Sequence, residues 1–321
     1  MMNAGTSRLF RGLVPSRAGV SANRALPAFL VIGPPRTGTT WLHNILRHRT
    51  VLPSSNKETR FFDKHFSQGL DWYRAHYPPF RDNRLVGEIA PTYFASVEAR
   101  QRIAETLPRA KVVCIFRNPF ERVLSLYRLK RAYGMISWSF EDALRHDPEL
   151  LESSKYATNL KAWRQALGSH RVLPTFYEDL KTGPQAYLDA IADFIEIPRF
   201  VLQPEQIREI CSAKSMTQPR NYERTRRATL IAEWFKARRL DKLVSVIRSS
   251  PLLKLFVGGG AAFAEVTPEA SALLYDFVRE EVEELESLVN RSLTAWKHPA
   301  NRAAGIEPAG LTACCSNSAD A

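Results

Sequence analysis

Ala28-Phe-Leu-Val-Ile32 runs directly into Gly33-Pro-Pro-Arg36-Thr37-Gly38-Thr39-Thr40-Trp41-Leu42, and this passage decides the fold. The short apolar run is bounded by turn residues, so it reads as a strand buried on both faces. A helix is predicted from about Thr39 to Arg47. In a strand, turn and helix of this kind, backbone N–H groups and the positive end of the helix dipole converge on the turn and make an anion cradle. The expected ligand carries phosphate or sulfate.

Outward from this unit, further buried strands are predicted at Leu85 to Ile89, Lys111 to Phe116 and Arg171 to Phe176. Helical patterns fall between and after them, at Val97 to Leu107, Glu121 to Ala132, Ser139 to Leu144, Lys155 to Leu167 and Pro184 to Phe194. Ser139 and Asp142 have N-cap spacing, and a last helix starts at Thr267-Pro268-Glu269 and runs to about Val289. Apolar strands alternating with helices predict an α/β fold, a three-layer parallel sheet with helices on both faces. One domain is expected over 27–298, with a basic and partly irregular insertion at about 217–260 that ends in Gly258-Gly-Gly260. Residues 1–26 carry Arg8, Arg11, Arg17 and Arg24 without an acid and read as a disordered basic tail or an organelle targeting segment. Residues 299–321 read as a disordered tail.

The chain has 321 residues, 45 of them basic and 33 acidic, for a formal net charge of +12. Such an excess attracts nucleotides, acidic glycans, nucleic acids and anionic lipid headgroups alike. The basic stretch Lys214 to Arg227 has a single tyrosine, too little aromatic interleaving for nucleic-acid recognition. The longest apolar run, Leu252 to Ala264, is interrupted by Lys254 and three glycines and falls short of the roughly 20 residues that cross a bilayer. A cytoplasmic protein is expected, with peripheral contact with anionic membrane left open and the oligomeric state unspecified. The four cysteines, at 114, 211, 314 and 315, show no metal spacing, and Cys114 reads as a small buried hydrophobe. No metal is expected.

The cradle has Gly33, Gly38 and Thr40 of the nucleoside-triphosphate loop GxxxxGK[ST], but Thr39 stands where the lysine belongs. This counts against an ATP or GTP hydrolase. The positive charge stands instead at Arg36. A second strand end continues as Phe116-Arg117-Asn118-Pro119-Phe120-Glu121-Arg122-Val123-Leu124-Ser125-Leu126-Tyr127. A guanidinium grips a phosphate through two hydrogen bonds, a serine in the next helix adds a hydroxyl from the side, and Pro119 pre-sets the helix start. A blander reading makes Arg117 and Glu121 a surface ion pair and Ser125 incidental. Two such anchors in order, each directly after a strand, arise by chance much less often than one.

The first anchor resembles the 5'-phosphosulfate loop of sulfotransferases that use 3'-phosphoadenosine 5'-phosphosulfate (PAPS). The second resembles their 3'-phosphate signature, R-[DN]-P-x-x-R-x-x-S-x-Y. The resemblance covers roughly residues 27–200 and implies a P-loop-like sulfotransferase fold, PAPS as co-substrate and adenosine 3',5'-bisphosphate as product. It implies that Arg36, Thr37, Gly38, Thr39, Thr40 and Trp41 hold the 5'-phosphosulfate while Arg117 and Ser125 hold the 3'-phosphate. Many members have lysine where Arg36 stands. Arginine is a poor proton donor, so Arg36 is expected to act by charge and hydrogen bonding.

Ser55-Asn56-Lys57-Glu58-Thr59-Arg60-Phe61-Phe62-Asp63 resembles the K-E-x-x-F-F segment of glycan sulfotransferases and implies Glu58 as general base. Lys57, Arg60 and Arg36 nearby are expected to favour its ionised form. Its alternatives are a salt bridge without a catalytic role, and His65 as the base. Gly87-Glu88-Ile89-Ala90-Pro91-Thr92-Tyr93-Phe94 resembles the E-K-S-P-x-Y-F segment near the acceptor cleft, but Ile89 and Ala90 replace its lysine and serine. The acceptor therefore stays open among glycan, lipid and small-molecule hydroxyls or amines. Tyr156, Asn159, Trp163 and Phe176 to Leu180 continue the family pattern and are expected to be scaffold. Tyr222 and Arg224, in the basic stretch 214–227, are assigned to the nucleotide, with a solvated surface loop as the equal alternative. Two rival functions are carried: a metal-dependent nucleotide kinase or NTPase, and a non-catalytic protein that binds anions or a membrane surface through Arg8 to Arg24 and Trp234 to Arg248.

Overall fold

Four short strands build the sheet: β1 (Phe29–Val31), β2 (Gly87–Ile89), β3 (Lys111–Phe116) and β4 (Val172–Phe176). All pairings are parallel and the spatial order is β2-β1-β3-β4. Phe29 aligns with Gly87 on one side and Lys111 on the other, and Phe116 with Phe176. The computed structural model describes residues 26–54, 57–80, 82–211, 216–237 and 259–297. The two expected tails lie outside them, except for Leu26.

Every residue of β1 and β2 is buried, and side chains alternate between the two sheet faces as strand geometry requires. Leu30, Ile32, Val112, Cys114 and Phe116 enter one core, and Phe29, Val31, Val113 and Ile115 enter another. The second core is closed by α1 (Thr39–Leu46), through Trp41, Leu42 and Ile45. The first is closed by α2 (Gly69–Arg74), α3 (Val97–Thr106), α4 (Pro119–Ala132), α5 (Phe140–His146), α6 (Pro148–Glu152) and α7 (Tyr156–Leu167). Beyond β4, α8 (Tyr177–Thr182), α9 (Pro184–Ile195) and α10 (Pro204–Cys211) return to the second core. α11 (Tyr222–Ala237) follows, and α12 (Pro268–Val289) packs on α7 over the first core. This is the three-layer α/β arrangement read from the sequence. No described helix is long and apolar enough to cross a membrane.

The predicted strands and long helices stand within about two residues of their expected bounds. Ser139 caps α5 as its spacing implies, accepting from the Asp142 backbone N–H at 3.0 Å. Cys114 is fully buried in the sheet, where burial pushes its thiol well above the usual range. One expectation changes: 222–237, part of the stretch read as irregular, is a helix. Its arginines at 224, 226 and 227 carry no apolar period, so the pattern that betrays a core-facing helix is missing there.

Candidate active site

β1 and β3 are neighbours and parallel, so the loops leaving their carboxyl ends emerge side by side, where open α/β sheets bind ligands. Gly33 leaves β1 so close to β3 that a Cβ there would stand 2.2 Å from the Ile115 backbone N. Thr37 is buried and its hydroxyl donates to the Pro34 carbonyl at 2.8 Å, tying the loop. Arg36 has φ +76° and Gly38 φ +86°. Glycine takes that conformation freely, whereas for arginine it stores strain on the order of 1 kcal/mol, a cost typical of functional loops. Gly38 is the N-cap of α1 and offers no side-chain acceptor, so the N–H groups of the first turn have no side-chain cap. That exposed positive end is what the cradle needs.

The second anchor lies against the first. Asn118 caps α4 by accepting from the N–H groups of Phe120 and Glu121, and Pro119 occupies the first turn. Arg117 pairs with Glu121 at 2.7 Å, as the blander reading foresaw, yet its Nη1 also donates to the Arg36 carbonyl at 3.2 Å. Arg36 in turn donates from Nε to the Ser125 hydroxyl at 2.9 Å. Arg36, Arg117 and Ser125 therefore meet at one place beyond the ends of β1 and β3. Burial first, and Arg117 second, hold the Arg36 guanidinium below its usual pKa. Crowded, partly desolvated cations are a standing invitation to an anion.

Three residues expected to be scaffold support these anchors. The Tyr177 ring lies 4.8 Å from the Arg117 guanidinium, a cation–π contact. Glu178 accepts from the Asn118 backbone N–H at 3.1 Å, and the Tyr156 hydroxyl donates to the Arg117 carbonyl at 2.9 Å. The Trp41 indole N–H donates to the Gln206 carbonyl at 2.7 Å, so that donor is engaged with α10.

The sequence reading placed Lys57 beside Glu58 but did not connect it with the phosphate cradle. Its Nζ donates to the hydroxyls of Thr39 at 3.1 Å and Thr40 at 3.3 Å, and stands 3.6 Å from the Glu58 carboxylate. A lysine thus reaches the cradle after all, from the next segment rather than from position 39. The signal available was its place directly before the candidate base. Glu58 is joined to the donor side through Lys57, while His65 carries a ring contact to Trp72 instead. Contrary to the expectation from nearby cations, burial raises the Glu58 pKa. Lys57 and then Arg60 pull it back only in part.

Behind Glu58, Thr59 is anchored on a carboxylate in the core. Glu88 in β2 is fully buried and accepts from the Thr59 N–H at 2.9 Å, the Thr59 hydroxyl at 2.6 Å, the Tyr73 hydroxyl at 2.6 Å and the Tyr93 hydroxyl at 3.2 Å. Glu88→Ala strands four buried donors and is expected to destabilise the fold by about 3 kcal/mol or more in urea denaturation, with Glu88→Gln costing less. Ile89 and Ala90 beside it are also fully buried, so they present no charge to an acceptor.

Tyr222 and Arg224 open α11, beside the end of α4, where Arg226 N lies against Gly134. Among the described residues neither makes a hydrogen bond to Arg36, Arg117 or Ser125, and Arg224 is exposed. The contacts among the anchors and Lys57 link the run from Arg36 to Thr40 with Arg117, Ser125 and Glu58, whereas among the described residues none joins Tyr222 or Arg224 to them.

Comparison with known proteins bears on the family and the fold. The profile of the family described as "Sulfotransferase domain" matches residues 26–241. The bifunctional heparan sulfate N-deacetylase/N-sulfotransferase 2 of Bos taurus is 32% identical over 199 residues, 55% of this chain and 22% of that protein. The membrane-associated sulfotransferase kil1 of Dictyostelium discoideum is 33% identical over 138 residues, 40% of this chain and 29% of its own length. The chain thus spans well under half the length of these relatives. Among solved structures, a sulfotransferase from Alicyclobacillus acidocaldarius superposes with a TM-score of 0.60 at 19% identity, over 85% of this chain and 100% of that one. The match over most of the chain, falling on both anchors, places this protein in the sulfotransferase domain family.

Proposed function

We propose that this protein transfers a sulfuryl group from PAPS to an acceptor hydroxyl or amine. The carrying observation is the convergence of two strand-end anchors: Arg36 bonds Ser125 at 2.9 Å and its carbonyl receives Arg117 at 3.2 Å. The donor substrate has anionic groups at two ends of one nucleotide. The uncapped first turn of α1 with Arg36, Thr39 and Thr40 suits the 5'-phosphosulfate, and Arg117 with Ser125 suits the 3'-phosphate.

In the transfer, an acceptor oxygen or nitrogen forms a bond to sulfur while the bond from sulfur to the bridging oxygen breaks. The electron pair leaves with adenosine 3',5'-bisphosphate, and Glu58 takes the acceptor's proton. Arg36 offsets charge on the departing phosphate. A sulfuryl group carries less negative charge than a phosphoryl group, so Arg36, Arg117 and Lys57 are a sufficient set of cations for this reaction. A glycan amine is the first acceptor to try, because the cattle relative is named for N-sulfation of heparan sulfate. Lipid and small-molecule hydroxyls complete the panel.

Thermal melting tests the donor assignment. Adenosine 3',5'-bisphosphate at a hundredfold excess over its Kd is expected to stabilise the fold by about 2.7 kcal/mol. A shift with ATP plus Mg²⁺ and none with the bisphosphate would transfer the site to the kinase or NTPase reading.

A further inference from the structure

Arg122 is a buried cation without a counter-ion. It lies in the first turn of α4, where its backbone N–H donates to the Asn118 carbonyl at 3.0 Å, and its side chain is fully buried. Nη2 donates to the Leu150 carbonyl at 2.6 Å and to the Ser154 hydroxyl at 2.5 Å, while no partner stands within hydrogen-bond distance of Nε or Nη1. Asp147 and Glu149, from the segment that receives it, are both paired with Lys130, at 2.7 and 2.6 Å. Among the described residues no carboxylate forms an ion pair with Arg122. Burying an unneutralised charge is unfavourable, and arginine does not give up its proton to avoid it. Packing alone does not account for such a group.

After burial, the group that acts on it most is the Tyr156 phenol. That phenol donates to the Arg117 carbonyl at 2.9 Å, and its ring lies 4.9 Å from Phe116 at the end of β3. Arg122 thus stands behind the second anchor, separated from the Arg117 backbone by one phenol. The charge of Arg117 is already shared, because Glu121 pairs with it at 2.7 Å and Glu178 accepts from the Asn118 N–H beside it at 3.1 Å. With two carboxylates so close, Arg117 alone is a weak anchor for a phosphate that carries up to two negative charges. We infer that Arg122 is a positioning residue that adds positive charge from beneath the second anchor, holds Arg117 in line through Tyr156, and so makes the site prefer a nucleotide with a 3'-phosphate. Acting through the core, its field escapes the screening that salt imposes on a surface arginine. The inference rests on the reading that Arg117 and Ser125 hold the 3'-phosphate.

Calorimetric titration of the full chain with adenosine 3',5'-bisphosphate and with adenosine 5'-phosphate tests it, and the readout is the ratio of the two Kd values. Arg122→Met is expected to cut the parental preference for the bisphosphate by about tenfold or more, whereas Arg122→Lys, which keeps the charge, stays close to the parent. A role confined to tying α4 to α6 affects both nucleotides alike and leaves the ratio unchanged. Far-UV circular dichroism and melting confirm that each variant folds. If Arg122→Met does not, Arg122→Gln takes its place, since an amide can still donate to Leu150 and Ser154 without the charge. A parental preference that persists in the uncharged variant, or that Arg122→Lys loses to the same extent, overturns the inference and leaves the donor assignment standing. A parent that binds the two nucleotides equally overturns both.

Discussion

Replacing Arg36 with alanine is expected to lower sulfuryl transfer from PAPS by about 10²-fold or more, with the protein still folded. The side chain stands at the junction of the two anchors, bonded to Ser125, so its loss removes charge where the leaving phosphate develops it. Its backbone carbonyl holds Arg117, and that contact survives truncation. Strain complicates the reading, because Arg36 has φ +76° and alanine is no more at ease there. Arg36→Gly separates the effects, since glycine keeps the turn and removes the charge. If charge is what matters, Arg36→Gly and Arg36→Ala fall together, while Arg36→Lys stays within roughly tenfold of the parent. Labelled transfer under saturating donor is the measurement. Near-parental turnover in the alanine variant would remove Arg36 from the chemistry.

That experiment rests on a site whose two halves were legible from local sequence. Strand ends followed by Gly33 to Thr40 and by Arg117 to Ser125 announce themselves through glycine, proline and apolar runs, which are short-range signals. Their meeting is a matter of sheet order, and β1 beside β3 is a long-range fact that no motif encodes. Lys57 was hidden for the same reason: its partners, Thr39 and Thr40, lie 18 and 17 residues away in the chain and become neighbours only through the fold. Tyr177 and Glu178 looked like scaffold because an aromatic and an acid after a strand have no motif of their own. Their part lies in fixing Arg117 and Asn118. The Glu58 pKa shows the limit most clearly. Nearby cations can be counted from sequence, but desolvation depends on what the fold piles around the carboxylate, and here burial outweighs the charges. Glu88 was quoted only for its place in the acceptor segment. Its four donors come from three separate segments of the chain, so its anchoring role could not be read in advance.

Glu58→Gln is expected to lower turnover by on the order of 10²- to 10⁴-fold, because glutamine keeps the shape and cannot take the acceptor's proton. The pH profile distinguishes a base from a salt-bridge partner. A base works only when ionised, so the rate rises with pH through its pKa. Burial raises that pKa, and the acidic limb should lie above the ordinary glutamate range. Lys57 pulls in the other direction, by charge and by hydrogen bond. Removing it in Lys57→Met should therefore shift the limb to still higher pH, besides lowering the plateau through the lost cation at Thr39 and Thr40. The position of the limb is the readout, because a merely structural defect lowers the plateau without moving it. In Glu58→Gln the limb should vanish from the residual activity. A Glu58→Gln protein with parental turnover, or a limb that stays fixed when Lys57 is removed, would leave Glu58 as a counter-ion to Lys57 and send the search for the base to His65.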